Sequence, residues 1–256
     1  MIRFASLGSG SDGNALIVES GGTRLLLDCG FPLSETVSRL SRLGVAPEAL
    51  TAILVTHEHD DHVGGVALLA RKFDLPVYTT YGTLAAMRSG TASLPHVHLI
   101  DGHTVFAVEG IEVHPFPVPH DAREPAQYVF SDGPRKLGVL TDVGCTTPHI
   151  EQMLTGLDAL VLECNHDYDL LMNGPYPRSL KQRIAGRQGH LANHVAAELV
   201  RRLDCSRLKH FVAAHLSQQN NTPELARSAM AAALDTTPEW ITVASQANGF
   251  DWREIA

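Results

Sequence analysis

An α+β domain, with strands and helices interleaved, is what this sequence predicts, and three observations carry the prediction. Short apolar, β-branched runs alternate with segments whose apolar residues recur at helical spacing. The strand-like runs end repeatedly in His, Asp or Glu, at positions 28, 57–62, 120, 142, 163 and 215. No tandem repeat, low-complexity stretch or linker interrupts the 256 residues, so 1–256 reads as one domain with enough chain for a substantial core.

The elements follow in order. Ile2 to Leu7 reads as a strand, and Gly8 to Asn14 as a flexible turn. Ala15 to Glu19 and Thr23 to Leu27 form a hairpin around Gly21-Gly22. Leu33, Val37, Leu40 and Leu43 are spaced as on a helix that starts near Pro32 and stops at Gly44. Ala52 to Thr56 is a buried strand, Val66 to Phe73 a helix, Val77 to Thr80 a strand and Thr83 to Arg88 a short helix. His96 and His98 alternate with Val97 and Leu99, which puts both imidazoles on the wet face of a strand. Ile111 to Val118, Lys136 to Thr141, Ala159 to Leu162 and Lys209 to Ala214 are further strands. Helices are expected over Ala192 to Leu203 and over Thr222 to Leu234, the latter with Thr222 as cap and Pro223 in its first turn. Ile241 to Ala244 and Phe250 to Trp252 close the domain as strands.

The chemistry concentrates in Thr56-His57-Glu58-His59-Asp60-Asp61-His62, between a strand and Gly64-Gly65. Three imidazoles and three carboxylates do not sit unpaired in a dry core. His57 and His59 are two apart, so on extended chain they point the same way and can share one metal. Asp61 and His62 lie beyond the bend and can face a second. Imidazole with carboxylate suits Zn²⁺, Mn²⁺ or Fe. His120 directly follows a strand stiffened by Pro117 and Pro119, and Asp142 and His215 end later strands.

Formal charge is −8, which argues against generic nucleic-acid affinity. The average hides an asymmetry: Arg178 to Lys209 holds eight Lys/Arg and two acids, a local +6, leaving −14 on the rest. That stretch brackets candidate site residues and so suits a phosphate-facing role. The four cysteines lack paired spacing, no run approaches membrane-spanning length and no secretory signal is evident. Free thiols and a cytoplasmic location are therefore expected, with no membrane partner. An oligomer leaves no readable mark.

The pattern Thr-His-x-His-x-Asp-His resembles the second motif of the metallo-β-lactamase fold superfamily. Asp28, His57–His62, His120, Asp142 and His215 match that family's five landmarks in order and approximate spacing. The chain is most similar to the YycJ/WalJ-like branch, on Gly8 to Asn14, Leu162 to Asp167, Gly174-Pro175-Tyr176-Pro177, Gly189-His190-Leu191-Ala192-Asn193, His215-Leu216-Ser217 and Asn220-Asn221. Ala192 stands where the branch more often has Ser.

The resemblance implies a four-layer αβ/βα sandwich. It implies two divalent metal ions, Zn or Mn. His57, His59 and His120 would hold one metal and Asp61, His62 and His215 the other, with Asp142 bridging them and Asp28 orienting the set from behind. Such a pair, ~3.5–4 Å apart, shares a hydroxide. By analogy with tRNase Z, Glu163 orients His190 as proton donor to the leaving oxygen. Substrate contacts are expected from Ser9, Ser11, Asn14, Asn193, Ser217 and Asn221, and from Arg183 and Arg187 of the basic stretch. The function expected is a phosphodiesterase or nuclease, exonuclease-like, with nucleic acid as substrate. The alternative is a small-molecule metallohydrolase of thioesters, lactones or cyclic phosphodiesters.

Overall fold

The computed structural model describes residues 1–87 and 94–256. Its first sheet contains β1 (Ile2–Gly8), β2 (Ala15–Ser20), β3 (Thr23–Leu27), β4 (Ala52–Leu54), β5 (Pro76–Thr80), β6 (His96–Ile100) and β14 (Phe250–Ile255), in the order β14-β1-β2-β3-β4-β5-β6. The second contains β7 (Phe106–Val108), β8 (Ile111–Pro117), β9 (Ala126–Ser131), β10 (Lys136–Leu140), β11 (Ala159–Glu163), β12 (His210–Ala214) and β13 (Thr242–Val243), ordered β13-β12-β11-β10-β9-β8-β7.

Both inner faces are apolar, so the sheets stack. Phe4, Val18, Leu25 and Leu54 of the first meet Val113, Tyr128, Val139 and Val212 of the second. The Tyr128 hydroxyl donates to Val55 O at 2.8 Å and pins one sheet to the other. Outside the first sheet lie α1 (Leu33–Arg42) and α3 (Val66–Phe73), packed through Leu40, Val66 and Leu69 on Ile17, Leu26 and Ile53. Outside the second, α5 (Pro148–Leu154), α8 (Asn193–Arg202) and α9 (Pro223–Leu234) cover Leu160, Leu162 and Phe211. This is the four-layer αβ/βα sandwich. Strands such as β11 are buried on both faces, which is why they read as unbroken apolar runs.

Runs of parallel strands place the site. β3 to β6 are parallel neighbours, and so are β10 to β13. Asp28, His57, Asp142, Glu163 and His215 all lie at or just beyond the C-terminal ends of such strands, where open α/β sheets collect ligands.

Several elements differ from expectation. β4 stops at Leu54 because Thr56 N donates to the Asp28 carboxylate, 2.8 Å away, and not to a neighbouring strand. The helix after β5 is α4 (Tyr81–Ala86), begun earlier by the Thr80 side chain accepting from Thr83 N; Arg88 lies outside the described residues. β6 is an edge strand with Val97 and Leu99 as exposed as its histidines, so it has no dry face. β7, β9 and α5 lie where the sequence predicts no element. Nor does it set α2 (Asp60–Val63), α6 (Tyr168–Asn173) and α7 (Arg178–Ile184) apart as separate helices.

Candidate metal centre

Asp28, Asp142 and His215 each follow a strand in the left-handed region, with φ of 60°, 53° and 54°. Non-glycine residues held there cost on the order of 1–3 kcal/mol each, and such strain gathers at functional sites. The surrounding backbone enforces it. Asn14 N donates to Asp61 O and Cys29 N to His62 O, both at 2.8 Å. Gly30 is required at this junction, since a Cβ would stand 1.8 Å from Asp61 O.

One nitrogen of His57, His62, His120 and His215 is tied from behind. The Thr56 hydroxyl donates to Asp28 Oδ2 at 2.8 Å and so accepts from His57 Nδ1, 3.0 Å away. His62 Nδ1 donates to Asp28 Oδ2 at 2.8 Å. His120 Nδ1 meets Gly189 O at 3.3 Å, and His215 Nδ1 meets Glu163 Oε1 at 3.2 Å. In the neutral ring each Nε2 then carries the lone pair a metal requires, and the His62 one also lies 3.1 Å from Asn14 Nδ2.

Those lone pairs converge. His57 Nε2 and His120 Nε2 lie 3.1 and 3.3 Å from His59 Nδ1. Beside them, Asp61 Oδ2 is 3.5 Å from His62 Nε2 and 3.6 Å from His215 Nε2. Asp142 places Oδ2 3.1 Å from His62 Nε2 and Oδ1 3.4 Å from His215 Nε2. It also forms a convergent group with His57 and His62, so it reaches both sets. Among the described residues, His215 Nε2 and Asp142 Oδ2 are buried without a hydrogen-bond partner. Two orphaned donor atoms in a pocket of lone pairs fit bound cations.

The electrostatics agree. Burial alone lowers His62, but Asp142, Asp28 and Asp61 outweigh it and hold the ring well above its ordinary value. His215 faces the same contest, with Asp142 the strongest opponent of burial, and is pushed up to about 10. Burial, with His62 adding to it, instead holds His57 well below its usual range, and His120 is also lowered by burial. One half of the cluster draws positive charge and the other rejects protons while offering nitrogen. A divalent ion satisfies both demands. Burial pushes the Cys29 thiol up to about 12 and raises Cys164 as well, so both behave as small apolar residues and not as thiolate ligands.

His190 lies against this centre. Its Nδ1 donates to Glu163 Oε1 at 2.8 Å, and its ring stacks on His215 with centroids 5.3 Å apart. Glu163 Oε2 accepts from Val143 N and Leu191 N at 3.1 and 3.0 Å. Both oxygens are thus engaged, although Glu163 also converges with Asp142, His190 and His215 in a group that could hold a metal.

A cavity of about 220 Å³ opens over the cluster, lined by Ser11, Asp121, Leu180, Arg183 and His190 among others. Ser9, Asn14, Asn193, Ser217 and Asn221, expected as substrate contacts, are not among its lining, and the bonds they make here are internal. Ser9 Oγ accepts from His215 N at 2.9 Å. Asn14 Nδ2 reaches Asp61 Oδ2 at 3.3 Å. Asn193 and Asn221 exchange side-chain bonds at 2.9 and 3.0 Å, and Ser217 Oγ accepts from Asn220 N at 3.1 Å. These polar side chains tie together the loops that carry the candidate ligands.

The basic stretch divides. Arg183 and Arg187 line a depression beside the cavity. Arg202 pairs with Glu151 and Arg207 with Asp158, which precedes the far end of β11. Thr56 opens the motif without being singled out for a role, and Asp121 carries no signal of its own in the sequence, although each adjoins a predicted ligand. Asp121 Oδ2 accepts from Arg183 at 2.7 Å, and its Oδ1 is 3.5 Å from His120 Nε2.

A family model described as a beta-lactamase superfamily domain matches residues 23–215. The chain belongs to this superfamily. It resembles the exodeoxyribonuclease YycJ of Bacillus anthracis, 38% identical over 91% of this chain and 89% of that protein. The exodeoxyribonuclease WalJ of Streptococcus pneumoniae is 35% identical over 89% of this chain and 86% of the relative. In fold the chain is similar to the metallo-β-lactamase fold protein YhfI of Bacillus subtilis, with a TM-score of 0.74 and 16% identity over 99% of this chain and 100% of that one. Human tRNase Z, short form, gives 0.67 and 19%, covering 99% of each chain. The superfamily member described here is a metal-dependent hydrolase with nuclease-named relatives.

Proposed function

We propose that this hydrolase is a dinuclear metal-dependent exonuclease acting on DNA. The observation that carries the reading is the meeting of two surfaces: the cavity over the ligand cluster adjoins the depression of Arg183 and Arg187, with Asp121 and Arg183 lining both. A scissile phosphate over the cluster would have its neighbour beside those guanidiniums. The exodeoxyribonuclease names of the two relatives point the same way.

His57, His59 and His120 would hold one ion and Asp61, His62 and His215 the other, with Asp142 reaching both. Bound there, zinc or manganese supplies charge neutralisation at the phosphoryl group and a water acidic enough to ionise near neutral pH. The chain's own residues do the rest. His190 hands a proton to the leaving oxygen from Nε2, because Glu163 holds the Nδ1 hydrogen. Glu163, followed by Asp142, also raises His190 against the lowering effect of burial, which keeps the imidazolium available. Arg187 and Arg183 hold a neighbouring phosphate, and Arg183 shares itself with Asp121 until substrate arrives. Asp28, Thr56, Ser9 and Asn14 keep the ligands aimed.

The modest size of the cavity favours a second reading, hydrolysis of thioesters, lactones or cyclic phosphodiesters, which would need the same ligands and not the arginines. We read residues 1–256 as one hydrolase domain. We place it in the cytoplasm on its free cysteines. Among the described residues, no helix is long and apolar enough to cross a membrane. End-labelled DNA and RNA assayed beside a thioester and a lactone decide between the readings: nucleotide release supports the nuclease, and turnover of the small esters alone supports the second.

A further inference from the structure

A second cavity, of about 120 Å³, lies behind His190 and is unused by the chemistry above. His190 borders both cavities, so the two meet at the proposed proton donor. At about 10–15 Å³ of such volume per water, it takes one ring system and no more. Whole drug-sized ligands occupy roughly 300 Å³ or above.

The walls define its chemistry. Leu191, Ala192 and Val195 make an apolar side, and Tyr168 stands at the surface, 49% exposed. Neither a carboxylate nor a guanidinium nor an ammonium group lines it among the described residues. His166 does line it, is only 1% exposed, and has no hydrogen-bond partner at Nε2 among the described residues. The other nitrogen fixes the tautomer. Asn165 Nδ2 donates to His215 O at 2.9 Å, so Asn165 Oδ1 is the atom that accepts from His166 Nδ1, 3.3 Å away. His166 Nε2 is therefore a bare acceptor. Burial lowers the ring to about 4, which keeps it neutral near pH 7. A buried acceptor of this kind is costly unless a ligand brings a donor to it.

We infer that this cavity receives the heterocyclic base of the nucleoside on the leaving side of the scissile bond. A base is flat, stacks on an aromatic ring such as Tyr168, and carries N–H donors for His166 Nε2. Its nucleoside would bear the oxygen that His190 protonates, so leaving group and proton donor meet at one residue. Beyond the His190 ring shared with the first cavity and the His194 ring, the lining holds no cationic side chain among the described residues, and the His166 lone pair favours a base over a phosphate. The inference rests on the nuclease reading and adds the subsite to it.

Oligonucleotides that end in an ordinary nucleotide or in an abasic one, at either end, with and without a terminal phosphate, test it. Wild-type enzyme is expected to cleave the base-bearing end about tenfold faster than the abasic end, the scale of one stacked base. His166→Phe keeps a buried ring and removes the acceptor, and Val195→Phe fills the cavity from α8. Each should slow the base-bearing end about tenfold while leaving the abasic rate and the metal content at wild-type values. Equal slowing of both ends overturns the subsite and leaves the nuclease reading intact. Dependence on a terminal phosphate with none on the base makes it an anion site and overturns the inference too. Failure of wild-type enzyme to cleave any oligonucleotide overturns both.

Discussion

Glu163 Oε1 accepts from His190 Nδ1 at 2.8 Å, and the same oxygen lies 3.2 Å from His215 Nδ1. One buried carboxylate thus orients a proposed proton donor and a proposed metal ligand together. Glu163 itself is held down to about 2, because the His190 and His215 imidazoles overcome the upward pull of burial.

The sign of a pH effect follows. Burial lowers His190, and Glu163 is the main influence that raises it. Glu163→Gln removes that charge, so the His190 pKa falls. A general acid works protonated, so activity is present below its pKa and lost above it. The alkaline limb of the pH–rate profile is expected to move to lower pH in Glu163→Gln. His190→Ala should cost ~10²–10⁴-fold in turnover with metal retained. An unmoved alkaline limb contradicts the pairing.

Asp142 is the residue that reaches both ligand sets, so two ions per chain should bind and Asp142→Asn should loosen at least one. Asn is chosen because it tolerates the left-handed backbone at φ 53°. Elemental analysis reads the outcome. Full activity with a single tightly bound ion contradicts the two-ion arrangement.

Thr56 links Asp28 to His57 and touches no substrate cavity. Thr56→Val keeps the shape and removes the link, and Asp28→Asn removes the charge behind His62. Each is expected to weaken metal affinity ~10–100-fold, the usual effect of groups that orient ligands. Metal titration against a competing chelator measures it, and unchanged affinity contradicts the positioning role.

Much of the centre was legible because strand ends announce themselves. An apolar run that stops at His, Asp or Glu is local, and His57 to His62 supplies four of the converging residues in one loop. The bracing network was not legible. Nothing in Ser9, Asn14, Asn193 or Asn221 says whether its side chain meets substrate or another loop, since the partners that decide it, such as His215 for Ser9 and Asp61 for Asn14, lie far away in sequence. β9 was missed for a related reason: all six of its residues are buried, so it shows no alternation, and Ala126 and Gln127 blur its apolar start. The basic stretch misled in part, because Arg202 and Arg207 are spent on acids remote in the chain.

Arg187 and Arg183 should answer differently from Arg207. Arg183→Ala with Arg187→Ala is expected to weaken nucleic-acid binding and to flatten its dependence on salt, by about one unit of log–log slope for each phosphate no longer held. Arg207→Ala should leave the slope unchanged, because that guanidinium is committed to Asp158. Binding isotherms across salt concentrations report both. Equal slopes in all three proteins contradict the arginine ledge.

As proposed, the protein is a nuclease whose chemistry depends on ions held between the two ligand sets. Its most direct test is nucleotide release from end-labelled DNA by enzyme loaded with Zn²⁺ or Mn²⁺, with Asp142→Asn alongside. Metal-dependent release of nucleotides from an end, abolished in Asp142→Asn, is the predicted result. Intact DNA in the presence of either ion, with thioester or lactone turned over by the same preparation, would contradict it.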